Sequence, residues 1–165
     1  MYATKIDLWG NETVTDYRPT AGGSASESGK QFEDVVACKL YESGVMFEKR
    51  PSFKCFYGLR RKGDFLININ GNVIHIECKQ LGNAESHFDK LSHCFMNLIQ
   101  GCYGENFWLV YDYNREGKPN TLRKIKHLKD TAEKIEKQAR LSGILFKLID
   151  INDLQNTIYK YQKLS

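Results

Sequence analysis

Apolar residues first recur at helical spacing in residues 32–40, where Phe32, Val35, Val36 and Leu40 line one face. A helix starting after Ser26 or Ser28 fits, because Ser28 and Gln31 have the spacing of a capping box and Gly44 supplies a stop. Residues 45–55 alternate apolar and charged side chains and read as a strand interrupted or bent at Pro51. Residues 64–69 and 73–79 alternate again, and between them stands Asn70-Gly71, a strong two-residue hairpin signal. Residues 84–100 return to the helical period, with Phe88, Leu91, Phe95, Leu98 and Ile99 on the buried side. Residues 107–113 are a nearly unbroken apolar run, as expected of a strand covered on both faces.

A long amphipathic helix follows over residues 121–141, buried through Leu122, Ile125, Leu128, Ala132, Ile135 and Ala139. A last strand at 144–149 and a terminal helix at 153–162 complete the chain. Strand, helix and strand in succession imply a parallel crossover after the hairpin. The expected class is α/β, with a mixed central sheet between helices. Residues 26–165 form one domain in this reading. Residues 1–25, rich in turn formers such as Asp16, Pro19, Gly22 and Gly23, form a loosely structured arm with room for a short strand near 6–9 or 13–17.

The hairpin turn fixes which residues face each other. Ile69 faces Asn72, Ile67 faces Ile74, Phe65 faces Ile76, and Asp64 faces Glu77. Lys79 lies two residues beyond Glu77 on the same side. Two carboxylates opposed across a sheet, with Cβ atoms about 5 Å apart, repel each other. A divalent cation reverses that sign. Mg²⁺ takes one or two carboxylates and keeps water ligands for phosphate chemistry, with Mn²⁺ as a substitute. Lys79 could then orient or deprotonate a water, or stabilise charge at a phosphate. The bland alternative is a strand-end aspartate in solvent beside an ordinary Glu77–Lys79 surface pair. His75, on the same side, reads as a neighbour.

Composition changes this picture little. The chain has 165 residues, is 41% hydrophobic and carries a net charge of +4, which permits nucleic-acid binding without requiring it. No apolar run approaches a membrane span and no export signal opens the chain, so a cytoplasmic address with no membrane partner is expected. Five cysteines with no Cys-x-x-Cys read as reduced thiols packed as small apolar groups. His87, His93, Cys94 and Cys102 fit no standard zinc spacing.

Asp64, followed after twelve residues by Glu77-Cys78-Lys79, resembles the PD-(D/E)XK nuclease motif. Upstream, Gly29-Lys30-Gln31-Phe32-Glu33 resembles the first helix of archaeal Holliday-junction resolvases and related restriction-type nucleases. The likeness is one of motif and element order over residues 26–113. It implies a restriction-endonuclease-like core with Asp64, Glu77, Lys79 and Glu33 catalytic. It also implies a metal held by Asp64, Glu77, Glu33 and the main-chain carbonyl of Cys78, with Glu27 a weaker substitute for Glu33. Gly63 stands where the motif's proline is usual. The Gln-x-x-x-Tyr motif of RecB-like exonucleases is absent, since Gln100 and Tyr103 have the wrong spacing.

The expected activity is metal-dependent hydrolysis of DNA phosphodiesters, junction-resolving or restriction-type. A homodimer is the expected route to cutting both strands. Arg60, Arg61 and Lys62, just before Asp64, are placed for phosphate contact, and Gln80 is a further candidate. The late-helix cations Arg123, Lys124, Lys126, Lys129, Lys134, Lys137 and Arg140 are interleaved with Asp130, Glu133 and Glu136 and read as a solvated face. Two other classes compete: a nucleic-acid-binding or assembly protein of the same fold that does not cut, and a nuclease acting on RNA.

Overall fold

The computed structural model describes the backbone of residues 2–6, 12–16, 25–81, 86–113 and 119–164, and the side chains of residues 29–81, 91–113 and 123–164. In chain order the strands are β1 (Tyr2–Ile6), β2 (Glu12–Asp16), β3 (Phe47–Lys49), β4 (Ser52–Lys54), β5 (Arg60–Lys62), β6 (Phe65–Ile69), β7 (Asn72–Gln80), β8 (Asn106–Asp112) and β9 (Leu145–Asp150). The helices are α1 (Ala25–Glu42), α2 (Ser86–Ile99), α3 (Pro119–Leu141) and α4 (Leu154–Gln162), the last entered through a 3-10 turn at Ile151–Asp153.

Asn70 (φ 54°) and Gly71 (φ 83°) both take left-handed backbone, the signature of the tight turn their sequence predicts. The β6–β7 register is the one the turn dictates: Ile69 opposite Asn72, Ile67 opposite Ile74, Phe65 opposite Ile76. Asn68 Oδ1 accepts the Gly71 N–H at 2.9 Å and braces the turn. Beyond β7 the chain crosses over through α2 to β8, and from β8 through α3 to β9; both strand pairs are parallel. Among the described residues the central sheet therefore has five strands in the order β3-β6-β7-β8-β9, antiparallel on one side and parallel on the other.

The sheet separates two apolar layers. On one side, Phe32, Val36 and Leu40 of α1 and Leu154 and Ile158 of α4 pack on Phe65, Ile67, Ile74, Ile76 and Trp108. On the other, Leu91, Phe95 and Leu98 of α2 and Leu128, Ala132 and Ala139 of α3 pack on Phe107, Leu109 and Phe146. Helices thus flank a mixed sheet on both faces, and the class is α/β. Among the described residues, no helix is long and apolar enough to cross a membrane.

Several elements depart from the pattern reading. Val35 is exposed although it lies in the apolar series of α1. Helix α1 begins at Ala25, ahead of both serine caps. Within residues 1–25, β2 falls close to the short strand allowed near 13–17, and it pairs antiparallel with β1, Tyr2 opposite Asp16. The side chains of Glu27, Ser28, His87, Phe88 and Leu122 lie outside the described residues.

The strand over residues 45–55 is interrupted near Pro51, as its sequence suggests: it forms β3 and β4 with a break at Arg50-Pro51, where Arg50 has φ 65°. The break is shared with the neighbouring strand. Phe47 faces Ile67 in β3–β6, Ser52 faces Lys62 in β4–β5, and both pairs belong to one register. Two hydrogen bonds carry that register through the bend, Arg50 N–H to Asp64 O at 3.0 Å and Gly63 N–H to Pro51 O at 2.9 Å. One long antiparallel ribbon therefore lies half in the sheet and half outside it. Asp64 sits at the bend.

Candidate active site

At the bend the main-chain ladder between β6 and β7 stops, and the Asp64 side chain continues it. Its Oδ2 accepts the Cys78 N–H at 2.7 Å. That bond fixes the carboxylate against β7 instead of leaving it free at a strand end. Glu77 and Lys79 project from the same side of β7, and Glu77 is buried. The Lys79 ammonium meets three oxygens of the site: it donates to Glu77 Oε2 at 2.8 Å and to Cys78 O at 3.2 Å, and stands 3.7 Å from Asp64 Oδ2. Asp64, Glu77, Lys79 and the Cys78 carbonyl are thus brought together around one point.

Burial and mutual charge act strongly on these groups. Desolvation pushes the Glu77 carboxyl up to about 7; Lys79 pulls it down and Asp64 adds to the rise. Desolvation works against the Lys79 ammonium too, but Glu77 and Asp64 outweigh it and hold the amine above its ordinary range. Glu33 approaches from α1. Burial raises its carboxyl, and Asp64 raises it further by like-charge repulsion, while Arg50 and Lys49 oppose both. Glu33 Oε2 is buried with no hydrogen-bond partner. Lys49 itself pairs with Asp34 at 2.9 Å.

Hard cations take oxygen donors, and every donor here is an oxygen: two carboxylates, one carbonyl, and the orphaned Glu33 oxygen close by. Among the described residues, no three His, Cys, Asp or Glu side chains are gathered closely enough to cage a metal by themselves. The donor set therefore suits an ion satisfied by one or two carboxylates plus water, as Mg²⁺ is.

The remaining candidates fall elsewhere. Gln80 is half-buried and hydrogen-bonds to Asp112, its neighbour on β8. Arg60, Arg61 and Lys62 are exposed on β5, within four residues of Asp64. On α3, Lys137 pairs with Glu133 at 2.9 Å and Arg140 with Glu136 at 2.6 Å, as a solvated helix face does. His75 packs against Phe53 and Tyr103, and burial lowers it to about 4, so the ring is a neutral wall beside Glu77. All five cysteines are free, and Cys55, Cys78 and Cys94 are buried. Burial raises the Cys94 thiol, and nearby Glu77 adds to the effect. Gly63 lies against the site: a Cβ there would stand 3.5 Å from Glu77 Oε1 and 3.7 Å from His75 Nδ1.

Two cations escape a reading by pattern. Arg50 acts on Glu33 from the bend, where the only sequence signal is the following proline. Lys54 stands opposite Arg60, and only the β4–β5 register reveals the pairing.

No family model and no curated protein matches the chain. Among solved structures it is similar to that of protein VC1899 from Vibrio cholerae, at 14% identity and a TM-score of 0.40, over 85% of this chain and 33% of that one. It is also similar to that of Pyrococcus furiosus SfsA in complex with Ca²⁺, at 15% identity and a TM-score of 0.39, over 86% of this chain and 71% of that one. The chain thus spans about a third of the length of the Vibrio protein. Overlap this slight leaves the chemistry to the side chains.

Proposed function

We propose that this chain is a divalent-metal-dependent nuclease that hydrolyses DNA phosphodiester bonds, with a PD-(D/E)XK-type centre at Asp64, Glu77 and Lys79. One observation carries the reading: the positive charge of Lys79 is ringed by Glu77 Oε2, Cys78 O and Asp64 Oδ2, an oxygen set suited to a hard cation. Asp64, Glu77 and the Cys78 carbonyl would hold Mg²⁺ or Mn²⁺, with Glu33 as the added carboxylate. Bound there, the ion supplies Lewis-acid activation of water and neutralises phosphate charge.

The chain's own groups do the rest. Glu77 must give up its proton before it can serve as a ligand, so its raised pKa ties activity to pH. Asp64, pinned by the Cys78 N–H, would enter the metal site already oriented. Lys79 brings a full positive charge and several donors to the phosphate, where negative charge builds as the water attacks. Gly63 puts no side chain against Glu77. A homodimer would supply a second centre for the second strand of a duplex.

The deciding experiment is a cleavage panel of supercoiled, linear, branched and single-stranded DNA and of RNA, each with Mg²⁺, Mn²⁺ or EDTA. Metal-dependent cutting of DNA is expected. Metal-independent binding without cutting of any substrate would make the chain a binding module, and cutting confined to RNA would reassign its substrate.

A further inference from the structure

The outer half of the bent ribbon, β4–β5, has one face that its packing does not explain. Phe53 and Arg61 share the inner face, where Phe53 packs on Tyr103 and His75. The Phe56 N–H donates to Asn97 Oδ1 of α2 at 3.0 Å and ties down the tip. The outer face carries Lys54, Arg60 and Lys62, all exposed. Among the described residues, none of the three makes an ion pair. At the tip, Tyr57 is 64% exposed and Leu59 55%.

We propose that β4–β5 is an arm that enters the major groove of duplex DNA, with Lys54, Arg60 and Lys62 on the phosphates and Tyr57 and Leu59 reaching the base edges. The inference deepens the nuclease reading and rests on it for its setting. Three unpartnered cations on one face fit a polyanion, and their affinity comes from counterion release. The major groove of B-DNA, about 12 Å wide, admits a two-stranded ribbon, whereas the corresponding groove of A-form RNA is too deep and narrow for side chains to read. Lys62 precedes Asp64 by two residues, about 7 Å of strand. The bend at Arg50-Pro51 and Gly63-Asp64 carries the ribbon out of the sheet toward such a partner.

The test is fluorescence anisotropy with the full chain in EDTA, which separates binding from cleavage. Labelled DNA duplex, the matching single strand and an RNA duplex are titrated with native protein, with Lys54→Ala/Arg60→Ala/Lys62→Ala, and with Lys126→Ala/Lys129→Ala/Lys134→Ala on α3. The ribbon triple variant is expected to lose at least about tenfold in duplex affinity and to show a salt slope shallower by about 2–3, while the α3 variant stays near native. Tyr57→Ala should weaken binding with the slope unchanged. Native affinity in the ribbon variant would overturn the proposal, as would an equal loss in the α3 variant or equal binding of single strand or RNA duplex. If the chain cuts nothing but the ribbon variant still releases duplex, the nuclease reading fails and the arm stands. If it cuts DNA and the ribbon variant binds as the native chain does, the arm fails alone.

Discussion

The Asp64 carboxylate accepts the main-chain N–H of Cys78 at 2.7 Å, so a strand-end aspartate becomes a fixed element of the neighbouring strand. The same oxygen stands 3.7 Å from the Lys79 ammonium, so the pinned carboxylate is held at the site. Asp64→Asn keeps an acceptor for Cys78 but removes the charge. Its fold should stay within about 1 kcal/mol of native, while Mn²⁺ affinity falls at least about tenfold, roughly 1.4 kcal/mol. Isothermal titration of both proteins checks this. Equal heats and affinities would remove Asp64 from the ligand set.

Lys79→Ala should abolish cleavage and leave most DNA binding, because affinity is spread over many phosphate contacts and one lysine changes the salt slope by about one unit at most. It should also destabilise the fold, since Glu77 is left buried beside Asp64 without its cation; a cost of about 3 kcal/mol is expected. Adding Glu77→Gln should restore much of that stability and none of the activity. Cleavage by Lys79→Ala at the native rate would show the assignment to be wrong.

Glu33 holds a buried oxygen without a partner, an arrangement that costs stability unless something positive completes it. Glu33→Gln should therefore raise the metal-free melting temperature, by about 1 kcal/mol of stability, and lower the cleavage rate. A variant with unchanged cleavage would make Glu33 a structural residue only. Calorimetry and single-turnover cleavage on the same preparation separate the two.

Two groups beside each other give opposite pH signatures. Glu77 titrates near 4.5 when unfolded and about 7 when folded, so its contribution to stability falls as pH rises between those values. His75 titrates near 6.5 when unfolded and about 4 when folded, so its contribution is lost as pH falls from about 6.5 to about 4. They nearly cancel where the windows overlap. His75→Gln should unmask Glu77: relative to native, the variant gains stability on acidification, by up to roughly 3 kcal/mol near pH 4. Parallel stability–pH curves for the two proteins would contradict this.

The same ionisation governs metal binding. Mn²⁺ needs Glu77 charged, so the upward shift of melting temperature with Mn²⁺ should be small at acid pH and grow as pH rises through about 7. Cleavage should follow the same rise. Glu77→Gln should abolish the shift at every pH.

Much of this site is legible in one dimension because a tight turn is a local event. Asn70-Gly71 can adopt the required left-handed backbone, and period-two alternation then puts Phe65 on one side of the sheet and Asp64, with Glu77 and Lys79, on the other. The crossovers to β8 and β9 are similarly written in the lengths and periods of their segments. Gln80 is the counter-example: alternation already turns it away from Lys79, but its hydrogen bond to Asp112 depends on a strand far along the chain.

What only the tertiary structure decides is set by contacts between distant segments and by exclusion of water. The sequence does not announce that the bend at Pro51 is matched by one at Gly63, because that match is a hydrogen-bonded register between two strands. Nor can it show Glu33 reaching Asp64 from another layer, or the desolvation that lifts Glu77 to about 7, since burial is a property of the assembled core. Local backbone preference and side-chain period place the residues on their strands; packing of α1 and α2 against the two sheet faces turns those positions into a charged, partly dry site.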